Sequence, residues 1–389
     1  MNHQNTYLFR DILERIEVPV NVEPDKEYVQ IGIRSHGKGL FYKEPVLGKA
    51  LGNKQVFWIQ PNCFILNVVF AWEQAITKTT ENEIGMIGSH RFPMYRPKND
   101  LVDIDYLIYY FLTKRGTDIL EAASPGGAGR NRTLGQERFL KSKITLPTLP
   151  EQQKIAAILS TQDKVIELKE KLLVQKQQQK KYLMQQLLTG KKRLPGFGGE
   201  WKTIHLNEIS CRIETKNTVR NNNVLTISAQ YGLINQTEFF DKVIASDDKS
   251  NYYLLSKDEF AYNRSYSKGY PYGTIKRLKR YVQGVVSPLY ICFAVNKKLA
   301  SLDFLEQYFE ASIINREIQS IVQEGARNHG MLNVAVDDFF RIKITMPEIE
   351  EQKEIAEILR VADHEIDLLQ KSIEAENQKK KALMQLLLT

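Results

Sequence analysis

The stretch Lys143-Ile-Thr-Leu-Pro-Thr-Leu-Pro-Glu-Gln-Gln-Lys-Ile-Ala-Ala-Ile-Leu159 returns, at an offset of 200, as Lys343-Ile-Thr-Met-Pro-Glu-Ile-Glu-Glu-Gln-Lys-Glu-Ile-Ala-Glu-Ile-Leu359. The offset holds without a gap as far as Leu183-Met-Gln-Gln-Leu-Leu-Thr189 and Leu383-Met-Gln-Leu-Leu-Leu-Thr389. Of the 47 positions from 143 to 189, 23 are identical to their copies. An ungapped match of that length marks an internal duplication. Upstream the likeness thins: Asp105-Tyr-Leu-Ile-Tyr-Tyr-Phe111 answers Asp303-Phe-Leu-Glu-Gln-Tyr-Phe309, Phe64-Ile-Leu-Asn67 answers Phe260-Ala-Tyr-Asn263, and Gly129-Arg-Asn131 answers Ala326-Arg-Asn328. Close copies beside segments that share only a skeleton describe one scaffold presenting two different surfaces.

Each copied segment reads as a strand ending at a proline, followed by a helix of about 38 residues. Pro150-Glu151 and Glu350-Glu351 suit a first helical turn, where proline needs no hydrogen bond and acids meet the positive end of the helix dipole. Gly190 is a natural stop for the first helix. A 4-3 seam falls on Ile155, Leu159, Gln162, Ile166, Lys169, Leu173, Lys176, Lys180, Leu183 and Leu187. In the copy it falls on Ile355, Leu359, Ala362, Ile366, Leu369, Ile373, Glu376, Lys380, Leu383 and Leu387. Six and eight of these ten are apolar, which is the spacing of a coiled coil. Residues 143–193 carry a net +7 and residues 343–389 a net −3, so the two helices are expected to pair with each other. The Gln175–Lys181 run reads as a solvated face. The Gly- and Pro-rich segment 191–200 reads as a linker.

The resulting architecture is α+β: two similar domains, β-rich with helices, separated by two long antiparallel coiled-coil helices in a pseudo-two-fold repeat. The expected bounds are 1–142 and 201–342 for the domains, 143–190 and 343–389 for the helical segments, and 191–200 for the linker. A chain of 389 residues exceeds one ordinary core. The first residues lack the pattern of a secretory signal, and no apolar run reaches 18 residues. Cys63, Cys211 and Cys292 are odd in number and form no CxxC pair, which fits a reducing cytoplasm and excludes a cysteine zinc site.

Catalytic motifs are sought and not found. Gly32-Ile-Arg-Ser-His-Gly-Lys38 has most of a phosphate loop, but Gly39 stands where a magnesium-binding Ser or Thr is needed, and no helix start follows. There is no Asn-Pro-Pro-aromatic motif for base methylation and no nuclease Glu-x-Lys on a strand, and no pair of the six histidines has metal-ligand spacing. No catalytic residue and no metal ligand is assigned.

Basic surfaces remain. From Phe260 to Leu302 there is no acid, while Asn263, Arg264, Ser265, Tyr266, Lys268, Tyr270, Tyr272, Lys276 and Arg277 offer cations, donors and aromatic faces suited to phosphates and base edges. The first domain offers Arg34, Ser35, His36 and Lys38, then Asn67, then Ser89, His90 and Arg91, then Arg130, Asn131 and Arg132; Arg327, Asn328 and His329 answer the last group. His90 and His329 read as hydrogen-bonding surface residues, and Trp58 and Trp72 as core.

The two helical repeats, their Lys-Lys-x-Leu-Met-Gln endings at 180–185 and 380–385, and Glu324-Gly-Ala-Arg-Asn328 with Leu332-Asn333 resemble the specificity (HsdS) subunits of type I restriction-modification enzymes. The resemblance spans nearly the whole chain and is tightest in the helices. It implies a non-catalytic subunit in which each target-recognition domain reads one half of a bipartite double-stranded DNA site. The helices would set the gap and dock two methyltransferase subunits, and motor-endonuclease subunits would complete the enzyme. S-adenosylmethionine, ATP and magnesium would belong to those partners, with no cofactor in this chain and no membrane contact. The competing reading is a coiled-coil scaffold that binds only proteins.

Overall fold

A computed structural model describes residues 5–126, 132–228, 231–239, 248–266, 269–323 and 331–388. The chain forms two compact units, one of Met1–Glu170 with Ser372–Thr389, the other of Lys171–Lys371. The division runs through both long helices, Leu149–Leu187 and Ile349–Leu387.

In the first unit, strand Asn5–Leu8 pairs antiparallel with Lys143–Leu146, and Thr6 and Thr145 join hydroxyls on the outer face at 3.0 Å. The Lys-Ile-Thr-Leu alternation explains the strand: Ile144 and Leu146 are buried, while Lys143 and Thr145 face outward. A turn of helix, Phe9–Ile12, leads into a four-stranded antiparallel sheet ordered Leu13–Ile16, Met94–Pro97, Phe64–Leu66, Ile76–Lys78. Helices Ile104–Phe111, Lys114–Ala122 and Gln136–Lys141 complete the unit. Its core is aromatic: Phe9, Phe64, Phe111 and Phe139 are fully buried with ring centroids 4.7–6.4 Å apart.

The second unit repeats this plan. Lys202–His205 pairs with Lys343–Met346, again with a threonine pair, Thr203 and Thr345, at 2.9 Å. The sheet order is Ser210–Arg212, Ile291–Val295, Phe260–Asn263, Thr274–Arg277. Phe260, Phe293 and Phe339 are fully buried, with Phe309 nearly so, in the same cluster. Skeletal matches such as Phe64 with Phe260 and Phe111 with Phe309 are therefore core positions.

Each long helix starts on a buried amide. Gln152 accepts the Asp103 N–H (2.9 Å) and donates to the carbonyls of Leu101 (3.0 Å) and Pro147 (2.9 Å). Its copy Gln352 accepts the Ser301 N–H and donates to Pro347, both at 2.8 Å. Glu151 accepts from the Thr148 N–H and hydroxyl, closing the first turn one residue ahead of the expected proline.

Each helix ends in the core of the unit that it does not start in. Met184, Leu187 and Leu188 are buried in the second unit's core, and Leu383, Met384 and Leu388 join the first unit's. This is why the Leu-Met-Gln endings are duplicated so closely. Every seam position is buried or half-buried in both helices. The polar members face one another in antiparallel order. In the first unit Gln162 donates to Glu376 at 2.8 Å, Lys169 pairs with Glu376 at 2.7 Å and Lys380 pairs with Asp163. In the second, Lys176 pairs with Glu365 at 2.8 Å and Lys180 with Asp363. Lys169, and then Gln162, hold the Glu376 carboxyl below its ordinary range. The Gln175–Lys181 run is thus a solvated face only in part, since Lys176 and Lys180 lie in the seam.

Gln152→Leu leaves one backbone N–H and two carbonyls without their partner, and Gln352→Leu one N–H and one carbonyl. The expected loss is about 1–3 kcal/mol of unfolding free energy, read as a lower urea midpoint at constant slope. An unshifted midpoint in both variants would show that the amides contribute nothing.

Candidate DNA interface

In each unit the loops at the carboxyl end of one central strand are tied together by hydrogen bonds. In the first unit this strand is Phe64–Leu66. The Val68 N–H donates to the Arg91 carbonyl at 2.9 Å and the Leu134 N–H to the Val68 carbonyl at 2.8 Å, so the loops around 67–69, 89–92 and 132–134 form one surface. The Asn67 side chain, nearly buried, accepts the Val69 N–H at 3.1 Å and shapes the turn. Ser89 sits at the Ser89–Phe92 turn, where it accepts the Arg91 N–H at 3.4 Å. His90 and Arg91 are exposed, and Arg132 lies over the Trp72 ring, 5.3 Å from its centroid. Trp72, read as core, is half-buried and holds that cation in place.

The glycine-rich loop joins the same surface from another side. It is the turn between strands Ile31–Ile33 and Leu40–Tyr42, so no helix N-terminus faces a phosphate there. His36 and Gly37 donate backbone N–H groups to the Glu73 and Gln74 carbonyls at 2.8 and 2.9 Å, and Ser35 bonds the Glu73 carboxylate at 2.9 Å. Gly37 has φ +64°, and a Cβ there would strike Leu112 at 2.7 Å. The Arg34 guanidinium donates to the Leu40 carbonyl and stacks on Phe41. His36 and Lys38 are exposed.

The second unit builds the equivalent surface on strand Phe260–Asn263. Asn263 accepts the Ser265 N–H at 3.2 Å, as Asn67 does for Val69. The Arg264 guanidinium clamps three loops: it donates to the Leu289 carbonyl (2.8 and 3.1 Å) and the Val334 carbonyl (2.9 Å), while its own carbonyl accepts the Leu332 N–H. Tyr266, 64% exposed, and Leu289, 50% exposed, project from this group. Leu289 has no polar or charged signature, and nothing in its local sequence points to it.

Several cations of the acid-free stretch are neutralised from outside it. Arg277, 9% exposed, pairs with Asp303 at 2.6 Å and Glu306 at 3.0 Å. Lys276 pairs with Glu310, Lys279 with Glu306 and Lys297 with Asp258. The acids of helix Leu302–Glu310 begin where the acid-free run stops. Tyr270 donates to Glu310 at 2.8 Å; burial first, and then Glu310, push its hydroxyl up to about 12. Tyr272 packs half-buried against the core, and its carbonyl accepts the Tyr262 hydroxyl. Lys276 and Arg277 are thus structural ion-pair members, and Tyr270 and Tyr272 are packing residues. Arg130, Asn131, Lys268, Arg327, Asn328 and His329 lie outside the described residues.

Burial pushes the Cys63 thiol up and the Cys292 thiol up to about 12. Among the described residues no group of three His, Cys, Asp or Glu is placed to hold a metal ion, and no helix is long and apolar enough to cross a membrane.

His90→Ala and Arg91→Ala are expected to weaken duplex binding several-fold, with a salt slope shallower by about one unit for each phosphate left without its cation, and to leave the urea midpoint unchanged. Arg277→Ala is expected to lower the midpoint. Filter binding across salt concentrations, with parallel unfolding curves, separates the two classes; the reverse assignment would refute this surface.

Residues 22–178 match the family model of the type I restriction modification DNA specificity domain. The whole fold is similar to solved structures. The HsdS subunit from Thermoanaerobacter tengcongensis aligns over 99% of this chain and 96% of its own, with TM-score 0.58 and 16% identity. The S subunit of a type I restriction-modification system from M. genitalium aligns over the same shares, with TM-score 0.57 and 12% identity. A chain from a structure describing complex assembly and conformational transition of the type I R-M system gives 0.58 and 16%. Residues 22–178 are thus similar to a type I restriction modification DNA specificity domain, and the whole chain shares the fold of the solved S subunits.

Proposed function

We propose that each unit reads one half of a bipartite duplex site through the loop cluster at the end of its central strand. The carrying observation is that one scaffold, repeated down to the Asn67 and Asn263 turns, presents different side chains: His36, Lys38, His90 and Arg91 in one unit, Tyr266 and Leu289 in the other. Unlike surfaces on like frames read unlike half-sites. Backbone-directed cations position the duplex, while the exposed histidines, Arg91 and Tyr266 face base edges and sugars.

The paired helices then act as the spacer between half-sites and as the docking element for methyltransferase subunits, two of them by the symmetry of the repeat, with motor-endonuclease subunits completing the assembly. S-adenosylmethionine, ATP and magnesium serve those partners. The chain itself contributes recognition and no catalysis, and it works in the cytoplasm. The family match over residues 22–178 favours this over a scaffold that reads no DNA.

The spacer reading has a direct test. Deleting matched heptads, 166–172 and 371–377, removes Lys169 and its partners Ser372 and Glu376 together. The rod should shorten by about 10 Å, and the preferred gap by about three base pairs at 3.4 Å each, with both half-sequences kept. Site selection from randomised duplexes reads the outcome; an unchanged gap refutes the spacer role.

A further inference from the structure

The two units share one turn whose tips differ. Strand register sets the correspondence: Tyr95 lies opposite Phe64 in the first sheet, and Phe293 lies opposite Phe260 in the second. At the offset of 198 fixed by Tyr95 and Phe293, Ser89-His-Arg-Phe92 falls on Ser287-Pro-Leu-Tyr290. The local bonds agree. The Phe92 N–H donates to the Ser89 carbonyl at 2.9 Å, and the Tyr290 N–H to the Ser287 carbonyl at 3.0 Å. Each serine hydroxyl accepts the N–H two residues on, from Arg91 at 3.4 Å and from Leu289 at 3.3 Å. Phe92 and Tyr290 pack half-buried against the smaller cluster of their own unit, and the two residues before each are exposed.

The third residue of the turn is also tied by its carbonyl in both units. The Arg91 carbonyl accepts the Val68 N–H, and the Leu289 carbonyl accepts the Arg264 guanidinium. Val68 and Arg264 are themselves equivalent, since they follow the matched Asn67 and Asn263. A lone exposed leucine is ordinary on a protein surface. Leu289, 50% exposed, differs in standing on a turn restrained at both its N–H and its carbonyl, where the other unit has an arginine.

What each tip can read follows from its chemistry. The Arg91 guanidinium is exposed and has no partner among the described residues. Its forked donors match the two acceptors, O6 and N7, that guanine shows in the major groove. The second turn has no such capacity, because the side chains of Pro288 and Leu289 hold no polar atom. An apolar tip can tell base pairs apart in the major groove by the 5-methyl group of thymine.

We infer that, given the half-site reading above on which this rests, one turn position selects one base pair in each half-site. Arg91 takes a guanine through O6 and N7, and Leu289 packs on the methyl group of a thymine.

The test begins with site selection from randomised duplexes by the full chain, followed by filter binding to the selected duplex with single altered bases. Deoxyuridine in place of each thymine in turn removes only a methyl group. It should weaken binding about fourfold at one position, and Leu289→Ala should be indifferent there. Deazaguanine lacking the N7 acceptor should weaken binding about tenfold at one guanine of the other half, and Arg91→Leu should remove that sensitivity. Leu289→Arg should move the selected base from thymine to guanine at its own position alone. Both side chains are exposed, so the urea midpoints should not move. Three results would overturn the inference and leave the half-site reading standing: methyl sensitivity that survives Leu289→Ala, no deoxyuridine effect in either half, or equal weakening of all sequences by Arg91→Leu, the mark of a phosphate contact. A wild-type chain that selects no sequence would sink the half-site reading as well.

Discussion

A helix of 39 residues cannot bury its own apolar stripe, and this constraint organises the molecule. Each long helix needs a partner along its length and a core at each end. The duplicated sequence provides both, because the seam of one copy meets the seam of the other in antiparallel order and the Leu-Met endings complete cores that the helix starts do not touch. The buried Gln152 and Gln352 amides then fix each helix start to its unit by bonds to backbone groups. Pairing specificity comes from charge. Lys169, Lys176 and Lys180 on one helix find Glu376, Glu365 and Asp363 on the other, so two copies of the basic helix would set lysine against lysine.

The fold was legible where a repeat and a period coincide. The heptad seam, the Lys-Ile-Thr strands and the shared Phe64/Phe260 and Phe111/Phe309 positions are local patterns with one structural solution each. The candidate site was legible only in part, because the chemistry of a loop depends on what the fold places beside it. The run from Phe260 to Leu302 holds no acid, yet Arg277 and Lys276 are neutralised by Asp303, Glu306 and Glu310, the first acids after it. A charge count along the chain does not see across a helix. Asn67 and Asn263, read as DNA-contact candidates, also shape their own turns through the side-chain oxygen, a short-range bond that asparagine makes readily. Leu289 left no trace in the sequence at all.

Arg264 illustrates how a cation in the proposed recognition surface holds that surface together through its own bonds. Its three bonds to the Leu289 and Val334 carbonyls hold three loops in one arrangement. The first unit reaches the same geometry with a main-chain bond, from the Val68 N–H to Arg91. One frame is thus locked by a side chain in one copy and by the backbone in the other, which leaves the exposed tips free to differ.

Because the boundary between units cuts through both long helices, neither unit is one continuous stretch of chain. Protease cleavage within 191–199 would therefore sever the polypeptide without releasing a folded half, since Lys171–Gly190 stays wedged in the second unit and Ser372–Leu388 in the first. Nicked and intact protein would migrate together until denatured, as in a box joint that holds after its glue line is cut.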